Sequence, residues 1–235
     1  MSVESSHELW VERLGVMPYS QALELQRRLA KHRIDGSVAQ DVLLLLEHPP
    51  VVTLGRSSKE QHLLASPELL KARGVELFEV ERGGDVTFHG EGQLVGYPII
   101  DLKRHKRDLH WYLRQVEEAL IVALRSFGIS AERNPGYTGV WTAGRKIASI
   151  GVHARDWVTW HGFALNVSTD LRYFDLIVPC GIQAVTMTSI SKELGRPVSV
   201  AEASSVVASA FAATFGLMER EVARFASPEF VISNP

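Results

Sequence analysis

A chain of 235 residues with 46% hydrophobic composition and mean hydropathy near zero can bury one sizeable core, and a second independent domain is not expected. A formal charge of −2 and a pI near 6.5 exclude a global field for nucleic acid or anionic membrane, so a polyanionic partner must be met by a local patch. The one cysteine, Cys180, excludes an intrachain disulfide, and the longest apolar runs, Val42–Leu46 and Ala119–Leu124, fall far short of the ~20 residues of a membrane-spanning helix.

At the start, Met1 to Trp10 carries Glu4, His7 and Glu8 with no apolar stretch behind them, which is not the pattern of a secretory signal and makes the cytoplasm the expected location. A helix is predicted over Tyr19 to Arg33, opened by Pro18. The run Val42 to Leu46 reads as a buried strand that ends in the turn Glu47-His48-Pro49-Pro50, with His48 in a structural role. Further strands are predicted at Val75–Val80 and Leu94–Ile100. Leu109, Leu113, Val116, Leu120, Leu124 and Phe127 recur at steps of three and four before Gly128, which predicts a core-facing helix from Asp108 to Phe127. Strands follow at Tyr137–Thr142, Lys146–Val152 and Trp157–Val167, with tight turns expected at Ala143-Gly144 and at His153–Asp156. Ser199 and Glu202 form a capping box for a helix to about Phe215, and the tail after about Glu219 is unassigned. Adjacent hairpins with helices grouped on them predict a single α+β domain spanning residues 1–235, with no internal repeat or linker.

Three segments carry chemistry. Arg82 to Gln93 packs four glycines, an arginine and a histidine behind a strand, which lets backbone N–H groups approach an anion or oxyanion closely; a glycine-rich hairpin with His89 in the core is the alternative. It ends in neither Gly-Lys-Ser/Thr nor a helix, so it is no phosphate loop or dinucleotide fingerprint. Val178-Pro179-Cys180-Gly181 sets the sole thiol between a rigid and a permissive residue, where both a small buried hydrophobe and a nucleophile stay open. Gly144 to Gly151 places Lys146 in an apolar strand. On the solvated face it is unremarkable, whereas pointing inward it becomes a base or an ammonium partner for a thiolate. His161 to Val167 has small residues inside a strand, which marks close approach of a ligand or another backbone.

Taken in order, Glu47-His48-Pro49-Pro50, Arg82-Gly83-Gly84 through Thr87, His89 to Gln93, Tyr97, Gly139-Val140-Trp141, Lys146-Ile147-Ala148, His161 to Val167 and Pro179-Cys180-Gly181 closely resemble the lipoyl(octanoyl) transferase family, from about Leu9 to Leu194. Glu91 departs from the pattern, since the family usually has proline there, and it adds a charge to the loop. The resemblance implies a mixed, largely antiparallel sheet with helices packed on it, similar to the catalytic module of biotin and lipoate protein ligases. It implies transfer of octanoyl from acyl carrier protein to the lysine of lipoyl domains, those of oxo-acid dehydrogenase complexes and of the glycine cleavage system H protein. By motif position Cys180 is the acyl-thioester nucleophile and Lys146 its partner. Substrate contacts fall on Arg82, Gly83, Gly84, Asp85, Val86, Thr87, Phe88 and His89, on Ser149, Ile150 and Gly151, and on Gly162, Phe163 and Ala164. A monomer acting without metal, cofactor, nucleic acid or membrane is expected.

A thioester donor and a cysteine acceptor exchange at little thermodynamic cost, so the implied reaction needs no nucleotide. The same residues are compatible with three alternatives: an ATP-dependent lipoate or biotin ligase, a cysteine hydrolase pairing Cys180 with a histidine, and a non-catalytic module of the same fold. Finally, Lys103-Arg104-His105-Lys106-Arg107 places four positive charges in five residues of a slightly acidic chain. It is either a solvated loop or a docking site for an acidic carrier.

Overall fold

The computed structural model describes residues 7–225. In chain order these form β1 (Glu8–Val16), α1 (Tyr19–Asp35), β2 (Asp41–Glu47), β3 (Val51–Leu54), α2 (Pro67–Ala72), β4 (Glu76–Glu79), β5 (Val86–His89), β6 (Gln93–Ile99), α3 (Leu109–Ser126), β7 (Glu132–Asn134), β8 (Tyr137–Thr142), β9 (Arg145–Arg155), β10 (Val158–Asn166), α4 (Ile190–Leu194), α5 (Val200–Phe215) and β11 (Met218–Glu221). Eight strands make one sheet in the order β11-β1-β2-β6-β10-β9-β8-β7, and β4-β3-β5 make a second. β1 runs parallel to β2 and β11, and β3 to β4; the other pairs are antiparallel. This is the α+β class that the hairpin pattern predicts, with the mixed, largely antiparallel sheet that the family resemblance implies.

β2 is a continuous apolar run because both of its faces are covered. Leu43 and Leu45 join Leu120, Leu124 and Phe211 of α3 and α5 on one side of the sheet. Val42, Leu44 and Leu46 meet Leu25 and Leu29 of α1 on the other. The helix ends follow their capping residues. Asp108 accepts a hydrogen bond from Trp111 N and so caps α3 instead of opening it, and the helix starts at Leu109, the first residue of the apolar period. Ser199 likewise accepts from Glu202 N, and α1 continues past Arg33 to a left-handed Gly36.

The Ala143-Gly144 turn forms as expected, with φ of 46° and 76°. The next turn lies further on than expected. β9 continues through His153 and Arg155, which pair with Trp160 and Val158, and the chain reverses at Asp156-Trp157, where φ is 51° and 66°. Asp156 tolerates the left-handed conformation, but Trp157 is not a turn residue, so the local sequence marks the position only in part. The predicted strand at Val75–Val80 forms as β4, while its small-sheet partners β3 and β5, the inner strand β1 and the edge strands β7 and β11 are not predicted from the sequence. The small sheet buries Val52, Val86 and Phe88 against Phe174, Leu176 and Met187 from the segment that carries the cysteine. The start of Met1–Trp10 and the tail beyond residue 225 lie outside the described residues. Among those described, no helix is long and apolar enough to cross a membrane.

Candidate active site

Lys146 opens β9, where the partner strand changes. From Ala148 onward β9 pairs with β10, but at Lys146 the segment 186–188 takes that place, with Lys146 N donating to Thr186 O and Thr188 N to Lys146 O, 2.8 and 2.9 Å apart. That segment descends from the Pro179-Cys180-Gly181 turn and so brings the cysteine over the lysine. Lys146 points inward with 0% exposure. Its Nζ donates to Cys180 Sγ at 3.1 Å and to Thr138 O at 3.4 Å, and sits 4.8 Å from the centre of the Trp141 ring. Ser149 Oγ lies 3.7 Å from the same sulfur. Gly139, at φ 136°, provides the space: a Cβ there would stand 2.9 Å from Lys146 Cε and 2.7 Å from Ala148 O.

Cys180 adopts φ 56°, a left-handed conformation uncommon for a residue with a side chain. The turn is fixed from both directions. Gly181 N donates to Val178 O and Ile182 N to Pro179 O. Asp85 and His62, paired at 2.7 Å, press so closely on Gly181 that a Cβ there would come within 2.6 Å of Asp85 Oδ2. The amides of Gly181 and Ile182 are thus used within the turn.

The arginine-glycine-glycine segment is packed between two further glycines. A Cβ at Gly55 would meet Gly84 O at 2.4 Å, and one at Gly151 would meet Gly83 O at 2.8 Å. Gly83 N donates to Val152 O at 2.8 Å, so this amide is occupied and does not serve an oxyanion. Arg82 is buried, and burial lowers its guanidinium from the usual arginine range. It donates to the Thr53 carbonyl and hydroxyl and to Gly83 O rather than to a carboxylate.

The histidines behind this loop are held neutral. Burial drives His89 down to about 3 and His48 to about 4. Their tautomers follow from their partners. Met17 O accepts from His48 Nδ1, so His48 Nε2 accepts from the Tyr97 hydroxyl, both at 2.7 Å. Gln93 donates through Nε2 to Phe88 O and Asn166 Oδ1, which leaves Oε1 to accept from His89 Nδ1 at 2.8 Å. Asn166 Nδ2 then donates to Thr188 O, whose own N–H donates to Lys146 O. One hydrogen-bonded chain therefore links the glycine-rich loop to the lysine. On the other side Glu81 is held far below the carboxylate range by His161, 3.7 Å away, and by Arg27 and Trp160.

These elements enclose a cavity of about 190 Å³ with Cys180 and Lys146 in its wall. Of the predicted contact residues, Arg82, Gly84, Asp85, Thr87, His89, Ser149, Ile150, Gly151, Gly162, Phe163 and Ala164 line it. Gly83, Val86 and Phe88 do not. β5 alternates, so Thr87 and His89 face the cavity while Val86 and Phe88 enter the small-sheet core, where Phe88 stacks on Tyr173 at 4.7 Å. Tyr19, Val95, Tyr137, Thr138 and Ile182 line the cavity without having been singled out in the sequence. Of these, Tyr137 and Thr138 stand just before the Gly139-Val140-Trp141 motif, Ile182 directly follows the cysteine turn and Val95 lies in the predicted strand Leu94–Ile100; Tyr19 opens the predicted helix and carries no signal for the site. Glu91 is exposed at the loop tip, while its neighbour Gly92 is fixed by donation to Glu47 Oε2 at 2.7 Å. Among the described residues no His, Cys, Asp and Glu cluster has the makings of a metal site.

A family model, the lipoyl protein ligase A/B catalytic domain, matches residues 18–212. An octanoyltransferase of Gloeobacter violaceus is 50% identical over 203 residues, 86% of this chain and 88% of that protein. One from Rubrobacter xylanophilus is 51% identical over 204 residues, 86% of this chain and 91% of that protein. Among solved structures, a bipartite lipoate protein ligase of Thermoplasma acidophilum, described with its E2 lipoyl domain, shares the fold at TM-score 0.72, covering 96% of each chain at 18% identity.

Proposed function

The chain belongs to the lipoyl protein ligase A/B catalytic family and, within it, to the octanoyltransferases of protein lipoylation, and on that premise we propose that residues 1–235 act as one cytoplasmic domain that carries octanoyl on Cys180. The donor is octanoyl-loaded acyl carrier protein and the acceptor is the lysine of a lipoyl domain. The observation that supports this most is the 3.1 Å contact between a fully buried lysine and the sole cysteine at a cavity wall.

The chemistry balances with those two side chains. An ammonium donating to sulfur favours the thiolate, which is the nucleophile. Cys180 Sγ attacks the donor carbonyl, and the carrier thiolate leaves with the Lys146 proton. Lys146, now neutral, takes a proton from the acceptor amine as it attacks the acyl-cysteine, and the Cys180 thiolate departs to restore the pair. Conversion of a thioester to an amide drives the second step, so ATP has no role. The relatives at 50% identity are octanoyltransferases, whereas the likeness to a ligase is one of fold. A hydrolase pairing Cys180 with a histidine lacks support in the contacts of the sulfur, which are an amine and a hydroxyl.

Intact mass after incubation with octanoyl carrier tests the proposal. One added octanoyl group, absent in Cys180→Ala, is expected without ATP or magnesium. Transfer by Cys180→Ala, or a strict need for ATP, would overturn it.

A further inference from the structure

We infer that a row of side chains crossing three strands measures the acyl chain, and that Val95 at its far end sets the octanoyl length. The inference rests on the acyl-cysteine reading above. Register places Ser149 of β9 opposite Ala164 of β10, and Ala164 opposite Val95 of β6. All three line the cavity. The row begins beneath the nucleophile, since Ser149 Oγ is 3.7 Å from Cys180 Sγ.

Neighbouring strands lie about 4.8 Å apart, so the row from Ser149 to Val95 spans about 10 Å. A fully extended alkyl chain advances about 1.25 Å per carbon, from bonds of about 1.5 Å at near-tetrahedral angles, which carries the eighth carbon about 9 Å beyond the carbonyl. An acyl chain laid along the row therefore ends over Val95. The floor rises in that direction, from a hydroxymethyl to a methyl to an isopropyl group. The next residue in the row, Leu46 of β2, pairs with Val95 and lies in the core, 2% exposed.

The cavity wall that Tyr19, His89 and Tyr97 contribute is held in place. Tyr97 is tied to His48 and His89 to Gln93, at 2.7 and 2.8 Å. The Tyr19 ring stacks on His89 with centroids 6.1 Å apart. Because their polar atoms are turned to one another, these groups offer mainly ring surface to a terminal methyl. Close packing and fixed hydrogen bonds make this end a stop rather than a soft boundary.

The test offers butanoyl, hexanoyl, octanoyl, decanoyl and dodecanoyl thioesters of one small thiol to wild type, Val95→Ala, Val95→Ile and Ala164→Val. Acylated lipoyl domain and the mass of the enzyme are both read. Wild type should peak at octanoyl. Val95→Ala should move the peak to decanoyl, raising the decanoyl-to-octanoyl ratio about 10- to 200-fold, the range one methylene commands in an apolar pocket. Val95→Ile should move it to hexanoyl. Ala164→Val raises the floor one strand from Ser149, about four carbons along, and should cost octanoyl transfer at least about 10-fold while butanoyl is still accepted. An unchanged length profile in both Val95 variants, or an equal loss at every length in Ala164→Val, overturns the ruler. If the length shifts appear while no acyl group is ever found on Cys180, the ruler stands and the covalent reading falls.

Discussion

Gly139→Ala is the sharpest test of how the lysine is held. The added methyl group would stand 2.9 Å from Lys146 Cε and 2.7 Å from Ala148 O, the latter a backbone atom within the β8–β9 pairing. Since the carbonyl is fixed in the sheet, the adjustment falls on the lysine tip and on the φ of 136°, a conformation that costs on the order of 1–3 kcal/mol without glycine. A displacement of Nζ by about 1 Å would carry the Cys180 contact from 3.1 Å to beyond hydrogen-bond reach, and a misplacement of that size costs roughly 100-fold in rate. The expected result is a melting temperature lowered by no more than several degrees, octanoyl transfer down about 100-fold, and iodoacetamide capture of Cys180 slowed. Thermal denaturation, single-turnover transfer and the rate of alkylation supply the three readings. If the melt falls as expected but transfer and alkylation match wild type, the position of Lys146 does not control the thiol and the reasoning fails.

Lys146→Met should slow both half-reactions and slow alkylation of Cys180 as Gly139→Ala does. Lys146→Arg keeps the charge but cannot accept a proton near neutral pH, so acylation of Cys180 should outlast transfer to the acceptor. Equal loss of both steps in the arginine variant would remove the base role. Reversing Lys103, Arg104, Lys106 and Arg107 to Glu should raise the Michaelis constant for octanoyl carrier steeply at low salt and spare a small uncharged octanoyl thioester. An equal loss with both donors would place carrier docking elsewhere. Stability should also fall with pH from about 6.5 toward 4. His48 and His89, depressed to about 4 and about 3, bind fewer protons folded than unfolded, so their contribution is complete above the unfolded histidine value and drains away below it. His89→Gln should flatten that slope in a denaturant series, and an unaltered slope would show that other groups dominate.

The parts of this fold legible in the sequence are those whose signal is local. The apolar period of α3, the Asp108 and Ser199 caps and the Ala143-Gly144 turn each sit within a few residues of the structure they specify. Strand β1, between β11 and β2, escaped because Glu12 and Arg13 interrupt its alternation. Each has a partner some 190 to 210 positions on, Phe225 N with Glu12 and Ser204 with Arg13. Of the small sheet only β4 was legible, as the strand predicted at Val75–Val80; β3 and β5 are each four residues long and pair with each other across more than thirty positions. At the site, motif order located the cavity lining from β9 and β10. It did not separate Thr87 and His89 from Val86 and Phe88, since that depends on a strand alternation which a glycine-rich segment conceals.

The basic run shows how far local charge can mislead about individual residues. His105 does not belong to a solvated surface. Its Nε2 donates to Asp41 Oδ2 at 2.7 Å, and Asp41 also accepts from Arg33 and from Asp101 N. That buried cluster anchors the loop against β2, while Leu102 N donates to Trp157 O and fixes it beside the β9–β10 turn. Lys103, Arg104, Lys106 and Arg107 are left exposed, with Lys103 and Lys106 near Asp101 and Asp108 at 3.7 and 3.2 Å. The loop is therefore a rigid mount for charge, which favours a docking surface over a loose solvated segment. Six residues of β9 separate Ser149 from Arg155 at the turn, roughly 20 Å by strand rise. A carrier seated on this mount must present its acyl group on an extended arm of about that length. The charges would then govern how often the carrier arrives in register, while the distance keeps them from altering the chemistry at Cys180.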